Sequence, residues 1–136
     1  MVQLAEAYFN DKKVKPIWNG GKFLFEEKNS KFESSKSVKT QLFWDMGGII
    51  KNRPSIYTLP SNPDNEVFVD FGLIWGEDII DLILADKGKV VLPLRNLQGF
   101  NELDEALNFT EDIAIGIDWS DKVEANHVDF KIDIVD

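Results

Sequence analysis

The chain has 136 residues, 43% of them hydrophobic, with 10 Phe, 4 Trp, 2 Tyr, 5 Pro and no Cys. This composition belongs to an ordered globular protein and excludes disulfides, thiolate metal sites and a cysteine nucleophile. The formal net charge of −9 is unevenly spread: residues 1–53 hold 10 Lys/Arg against 6 Asp/Glu, and residues 54–136 hold 5 against 18, a polarity that bears on steering and partner choice rather than on fold.

A chain of this length suits a single domain, 1–136, with one continuous core. Its first residues lack a basic stretch followed by an apolar run and a small-residue cleavage site, so no secretory signal is expected. The most apolar region, 71–85, is interrupted by Glu77, Asp78 and Asp81 and falls short of the roughly 20 apolar residues that cross a bilayer. A cytoplasmic protein with no membrane span is the expectation.

In chain order, residues 2–9 carry apolar side chains at a spacing that fits neither period cleanly, and a short helix is expected there. Asn19-Gly20-Gly21 reads as a turn leading into a strand at 22–27, where Phe23 and Phe25 alternate with Leu24. Further strands are expected at 37–44, closed by Asp45-Met46-Gly47-Gly48, and at 55–59. Pro60-Ser61-Asn62-Pro63-Asp64-Asn65 is a surface loop, because Pro cannot donate to a ladder and Asn and Asp bond their own backbone in turns.

Residues 66–75 are apolar on nearly both faces, the pattern of a strand lying centrally in a sheet. A largely buried helix is expected over 79–85, introduced by Glu77 and Asp78 and stopped at Gly88. A strand follows at 90–94, with Pro93 placing its end at an edge or bulge. Asn101 as N-cap, acids in the first turn and a stripe of Leu103, Ala106 and Leu107 predict a helix over 101–107. Two alternating strands, 113–119 and 128–134, joined by 120–126, predict a terminal hairpin with acidic residues on its outward face and in its loop. Together these elements predict an α+β fold: a mainly antiparallel, twisted sheet of about six or seven strands with two or three helices packed on it.

Motifs for chemistry are sparse. His127 is the one histidine, so two-His metal motifs are excluded and a nucleophile triad would depend on that residue. Read as a calcium loop from Asp118, the sequence puts Lys122 at position five, Val123 in place of the turn glycine and Asp129 in place of the final Glu, and the match fails. Gly20-Gly21 and Gly47-Gly48 lack a phosphate-loop context. The lysines at 12–39 are interleaved with Phe23, Phe25 and Phe32, but Glu26, Glu27 and Glu33 share the stretch and the overall charge repels a polyanion, so direct nucleic-acid binding is not expected. No metal, cofactor or catalytic residue is assigned.

What remains is the acidic second half. The expected function is that of an inhibitor or immunity-type binding protein, without enzymatic activity of its own, that docks on a basic protein such as a nuclease toxin and occludes its cationic cleft. The residues expected to bind are Asp118, Trp119, Asp121, Glu124 and Asp129, with Glu111 and Asp112 as a second group. Trp119, flanked by carboxylates, is the candidate interface anchor. The alternative is a small-molecule-binding domain or small enzyme that uses buried carboxylates.

Overall fold

The computed structural model describes residues 4–19, 22–27, 40–119 and 123–124. Strands β1 (Leu4–Phe9), β2 (Lys12–Asn19) and β3 (Lys22–Glu27) form an antiparallel meander. Strand β4 (Thr40–Asp45) then pairs with β1 in parallel, followed in space by β5 (Glu66–Asp70), β6 (Lys89–Pro93) and β7 (Ile113–Gly116), each parallel to its neighbour. The seven-stranded sheet has the order β3-β2-β1-β4-β5-β6-β7.

The expectation of a mainly antiparallel sheet is thus overturned: four of the six pairings in this sheet are parallel. The reason lies in the connections. Helix α1 (Met46–Lys51) follows β4, α2 (Ile79–Ala85) follows β5 and α3 (Asn101–Leu107) follows β6. A tight hairpin can return a strand antiparallel, whereas a crossover carrying a helix brings the next strand in parallel.

Local expectations fail where both faces of a segment are covered. Residues 4–9 are a strand and not a helix, because β1 lies between β2 and β4 with Tyr8 packed on one face and Ala7 on the other, and this erases the alternation. The expected strand at 55–59 is a 3-10 turn, Ile56–Thr58, that drops Ile56 and Leu59 into the core. Strand β5 stops at Asp70 instead of running to Trp75. Pro93 lies in an inner strand between β5 and β7, at its last position, opposite Gly116; Leu94 supplies the next N–H, to the Gly116 carbonyl. The cap of α3 is Phe100, with Asn101 inside the helix.

The sheet curls into a half-barrel. Neighbouring strands sit about 4.8 Å apart, so a flat sheet would hold β3 and β4 about 14 Å from each other. Instead the rings of Phe23 and Trp44 are 5.4 Å apart, and the Arg95 guanidinium, two residues beyond β6, lies 5.1 Å from the Phe23 ring. The inner surface holds Ala7, Val14, Met46 and Ile49, with Phe9 stacked on Phe25. On the outer surface Phe43, Val69, Val90 and Leu92 pack beneath Ile79, Leu82 and Ala106 of α2 and α3.

Candidate functional site

Two features compete as sites: buried carboxylates at one end of the parallel strands, and exposed carboxylates on the helical layer. Asp45 and Asp70 end the neighbouring strands β4 and β5, the edge at which open parallel sheets bind ligands. Asp45 is buried and caps α1, accepting from Gly48 N at 3.3 Å and Ser55 N at 2.6 Å. Burial pushes its carboxyl above the ordinary range, with Asp70 adding repulsion and the backbone donors pulling the other way. Asp70 accepts from Gly72 N at 3.0 Å and forms an ion pair with Arg95 at 2.6 Å, while Asn96 beside it donates to the Ile49 carbonyl. These groups lock the strand ends to α1. The backbones also approach closely here: a Cβ on Gly48 would lie 2.0 Å from the Phe71 carbonyl oxygen, and a cavity of about 190 Å³ opens beside this contact, lined by Asn52, Gly72, Leu73 and Asp81 among others.

A third buried carboxylate, Glu6, is held by the Tyr8 hydroxyl and by Lys13 Nζ at 3.2 Å. Burial and that hydrogen bond keep the Tyr8 hydroxyl protonated well above the ordinary phenol range. This group braces β1 against β2. Each of the three buried carboxylates is thus engaged in holding strand ends or strand pairs together.

The exposed acids are arranged differently. Residues 76–86 contain Glu77, Asp78, Asp81 and Asp86, and residues 101–107 contain Glu102, Asp104 and Glu105, without one Lys or Arg. The 3-10 turn Gly76–Asp78 that leads into α2 packs directly on α3, where Gly76 N donates to Glu102 Oε1 at 3.0 Å and no room is left for a Cβ. That contact gathers the two acidic runs into one surface. After burial, the charges of Asp81, Glu77 and Glu102 all push the Asp78 carboxyl upward, the signature of like charges within reach of one another. Among the described residues no three carboxylates are placed to hold a metal ion.

Apolar side chains interrupt this surface. Ile83 is 48% exposed, Leu84 70%, Leu107 47% and Phe109 40%. Exposed acids and exposed large apolar side chains thus share the helical layer.

Of the residues expected from sequence to bind, Glu111 and Asp112 are exposed in the turn that follows α3, continuous with the acidic surface. Asp118 and Trp119 form the short strand β8 (Asp118–Trp119), antiparallel to β9 (Val123–Glu124), with Asp118 opposite Glu124. The hairpin therefore turns earlier than expected, and Glu124 is part of a strand and not of the loop. Asp121, Asp129, His127 and the expected strand 128–134 lie outside the described residues. The acids of α2 and α3 were read from sequence only as complements to helix dipoles. Their shared absence of cations was the signal that they form a surface.

No family model, curated protein or solved structure matches the chain. No helix among the described residues is long and apolar enough to cross a membrane.

Proposed function

We propose that this chain is a cytoplasmic, acidic binding protein of the inhibitor or immunity type, which neutralises a basic partner such as a nuclease toxin by covering its cationic cleft. The observation that carries the reading is that the acids of residues 76–86 and 101–107, runs without Lys or Arg, meet on one surface through the contact of Gly76 with Glu102. The sheet order puts β2 and β3, with Lys12, Lys13 and Lys15, at one edge and the acidic helices over the other half. Ion pairs among the described residues each stay within one half: Lys13 with Glu6, Lys89 with Glu66, Arg95 with Asp70. None of these three pairs reaches Glu77, Asp81, Asp104 or Glu105, and an acidic surface without cations steers and orients a cationic partner.

The contact surface comprises Glu77, Asp81, Asp104, Glu105, Glu111 and Asp112, and the hairpin residues Asp118, Trp119 and Glu124 form a second arm. Inhibition needs no chemistry from this chain, because occlusion alone denies the partner its substrate.

The test is affinity capture from host extract at low salt with stepwise salt elution, followed by assay of the eluted protein for nucleic-acid cleavage with and without this chain. A basic protein whose cleavage is suppressed is the expected result. Glu77→Lys, Asp81→Lys and Glu105→Lys together, all at positions with no structural partner among the described residues, should weaken its capture by about tenfold or more. Full retention by that triple variant would remove the helical surface; retention also by a variant reversed at Asp118, Asp121 and Glu124 would end the proposal.

A further inference from the structure

At the edge of the sheet opposite Asp45 and Asp70, where β5 and β6 begin, two adjoining cavities of about 490 and 250 Å³ form one groove. Asp86, Gly88, Lys89 and Asp112 border both. The smaller cavity has an apolar wall, with Ile83 and Phe109 at its exposed lip and Leu82 at its base. The larger has a polar floor in which Lys87 Nζ reaches Ser61 Oγ at 3.1 Å and Lys89 Nζ reaches Glu66 at 3.6 Å. Lys87, bonded to a neutral hydroxyl, keeps its charge but does not line the smaller cavity; there Lys89 is paired with Glu66, and the charge left for a visitor is that of Asp86 and Asp112.

Asp86 carries a second, independent anomaly. It is the C-terminal cap of α2 in the left-handed conformation, φ 52 and ψ 47, a position that glycine or asparagine fills at lowest cost. It also puts a carboxylate at the negative end of a helix dipole, where a cation is favoured. Positions that break two local stability rules at once are expected where function holds the residue in place.

We infer that this groove is the specificity pocket of the docking surface: it receives an extended segment of the basic partner, seating one large apolar side chain between Ile83 and Phe109 and the adjacent Lys or Arg between Asp86 and Asp112. The inference rests on the proposed acidic binding function and adds the partner's recognised pattern, an apolar residue beside a cationic one. The long-range field of α2 and α3 brings the partner in, and the groove selects among cationic partners by shape.

The experiment is a titration of the isotopically labelled full chain with three capped peptides, Lys-Phe-Lys, Lys-Gly-Lys and Glu-Phe-Glu, followed through backbone amide shifts. Lys-Phe-Lys should move the amides of Asp86, Gly88, Thr110 and Asp112, with Lys-Gly-Lys binding several-fold more weakly and Glu-Phe-Glu leaving them still. Asp86→Asn should weaken Lys-Phe-Lys by about threefold, the scale of one exposed charge pair, while its melting temperature stays equal to or above that of the parent. Phe109→Ala should weaken it by about fivefold through loss of the apolar wall. If both lysine peptides move only the amides around Glu77, Asp81 and Glu105, equally, the groove assignment is overturned and the acidic surface stands. If neither lysine peptide moves any amide, both are overturned.

Discussion

At the scale of single residues, the pair that decides most is Asp70 with Arg95. Both side chains are at least nine-tenths buried, the guanidinium rests on the Phe23 ring, and the pair joins the end of β5 to the turn after β6 while touching the strand on the far edge of the sheet. Removing one member of a buried pair strands the other charge in a poor solvent. Arg95→Met should therefore destabilise the fold by about 3–5 kcal/mol in chemical denaturation, whereas Arg95→Met with Asp70→Leu should recover much of that loss. A single variant as stable as the parent would mean the pair does not close the half-barrel. Asp70 was readable in the sequence as a polar position on a central strand. Its partner, 25 residues away and in a turn, carried no local pattern at all.

Among the elements, α1 is the one whose existence depends on its surroundings. Six residues with two glycines cannot hold a helix alone, since nucleation costs more than so short a helix returns. Asp45 caps its start, Asn52 closes its end in the left-handed conformation, and Gly48 lets its backbone pass against Phe71, while Gly72 at φ +68 meets the Gly48 carbonyl from the other side. On propensity alone Gly48→Ala would stabilise a helix by about 1 kcal/mol. Here the new methyl group would meet backbone at 2.0 Å, so the change should be destabilising, by about 3 kcal/mol or more, with α1 lifted from the sheet. A rise in melting temperature on that substitution would disprove the close approach. The sequence Asp45-Met46-Gly47-Gly48 looked like the end of a strand because glycines normally stop elements. The alternation of apolar runs with helical stripes from 66 to 116 was, by contrast, a legible sign of parallel crossovers, and the hairpin-like turns elsewhere drew the reading towards an antiparallel sheet.

Over the whole molecule, charge polarity and burial combine into a pH dependence. Asp45 and Asp78 both have folded-state pKa values above their ordinary 3.8, so the folded state binds more protons than the unfolded chain between that value and the raised ones. Unfolding free energy therefore falls as pH rises through that window and climbs as pH is lowered through it, with the gain complete below the ordinary value. Melting temperature should accordingly rise as pH is lowered from neutrality through that window towards 3.8. Asp78→Asn should flatten part of that slope by relieving its repulsion with Asp81, Glu77 and Glu102. A melting temperature that declines across the same interval would contradict the crowding of carboxylates on the helical layer, and with it the basis of the proposed docking surface.

The sequence by itself determined the chemical poverty of the chain, its split charge, the helix over 101–107, the strand at 22–27 and the place, though not the burial, of the helix over 79–85, whose Ile80, Ile83 and Leu84 are exposed, because composition and periodicity are local properties. The strand expected at 113–119 is divided between two sheets. Only the tertiary structure decided that β4 to β7 run parallel, that 4–9 is a strand, and that two acidic runs separated by residues 87–100 meet across the Gly76–Glu102 contact. Strand direction and surface clustering depend on which segments become neighbours. That choice is made by the burial of apolar faces over the whole chain, which no window of sequence contains.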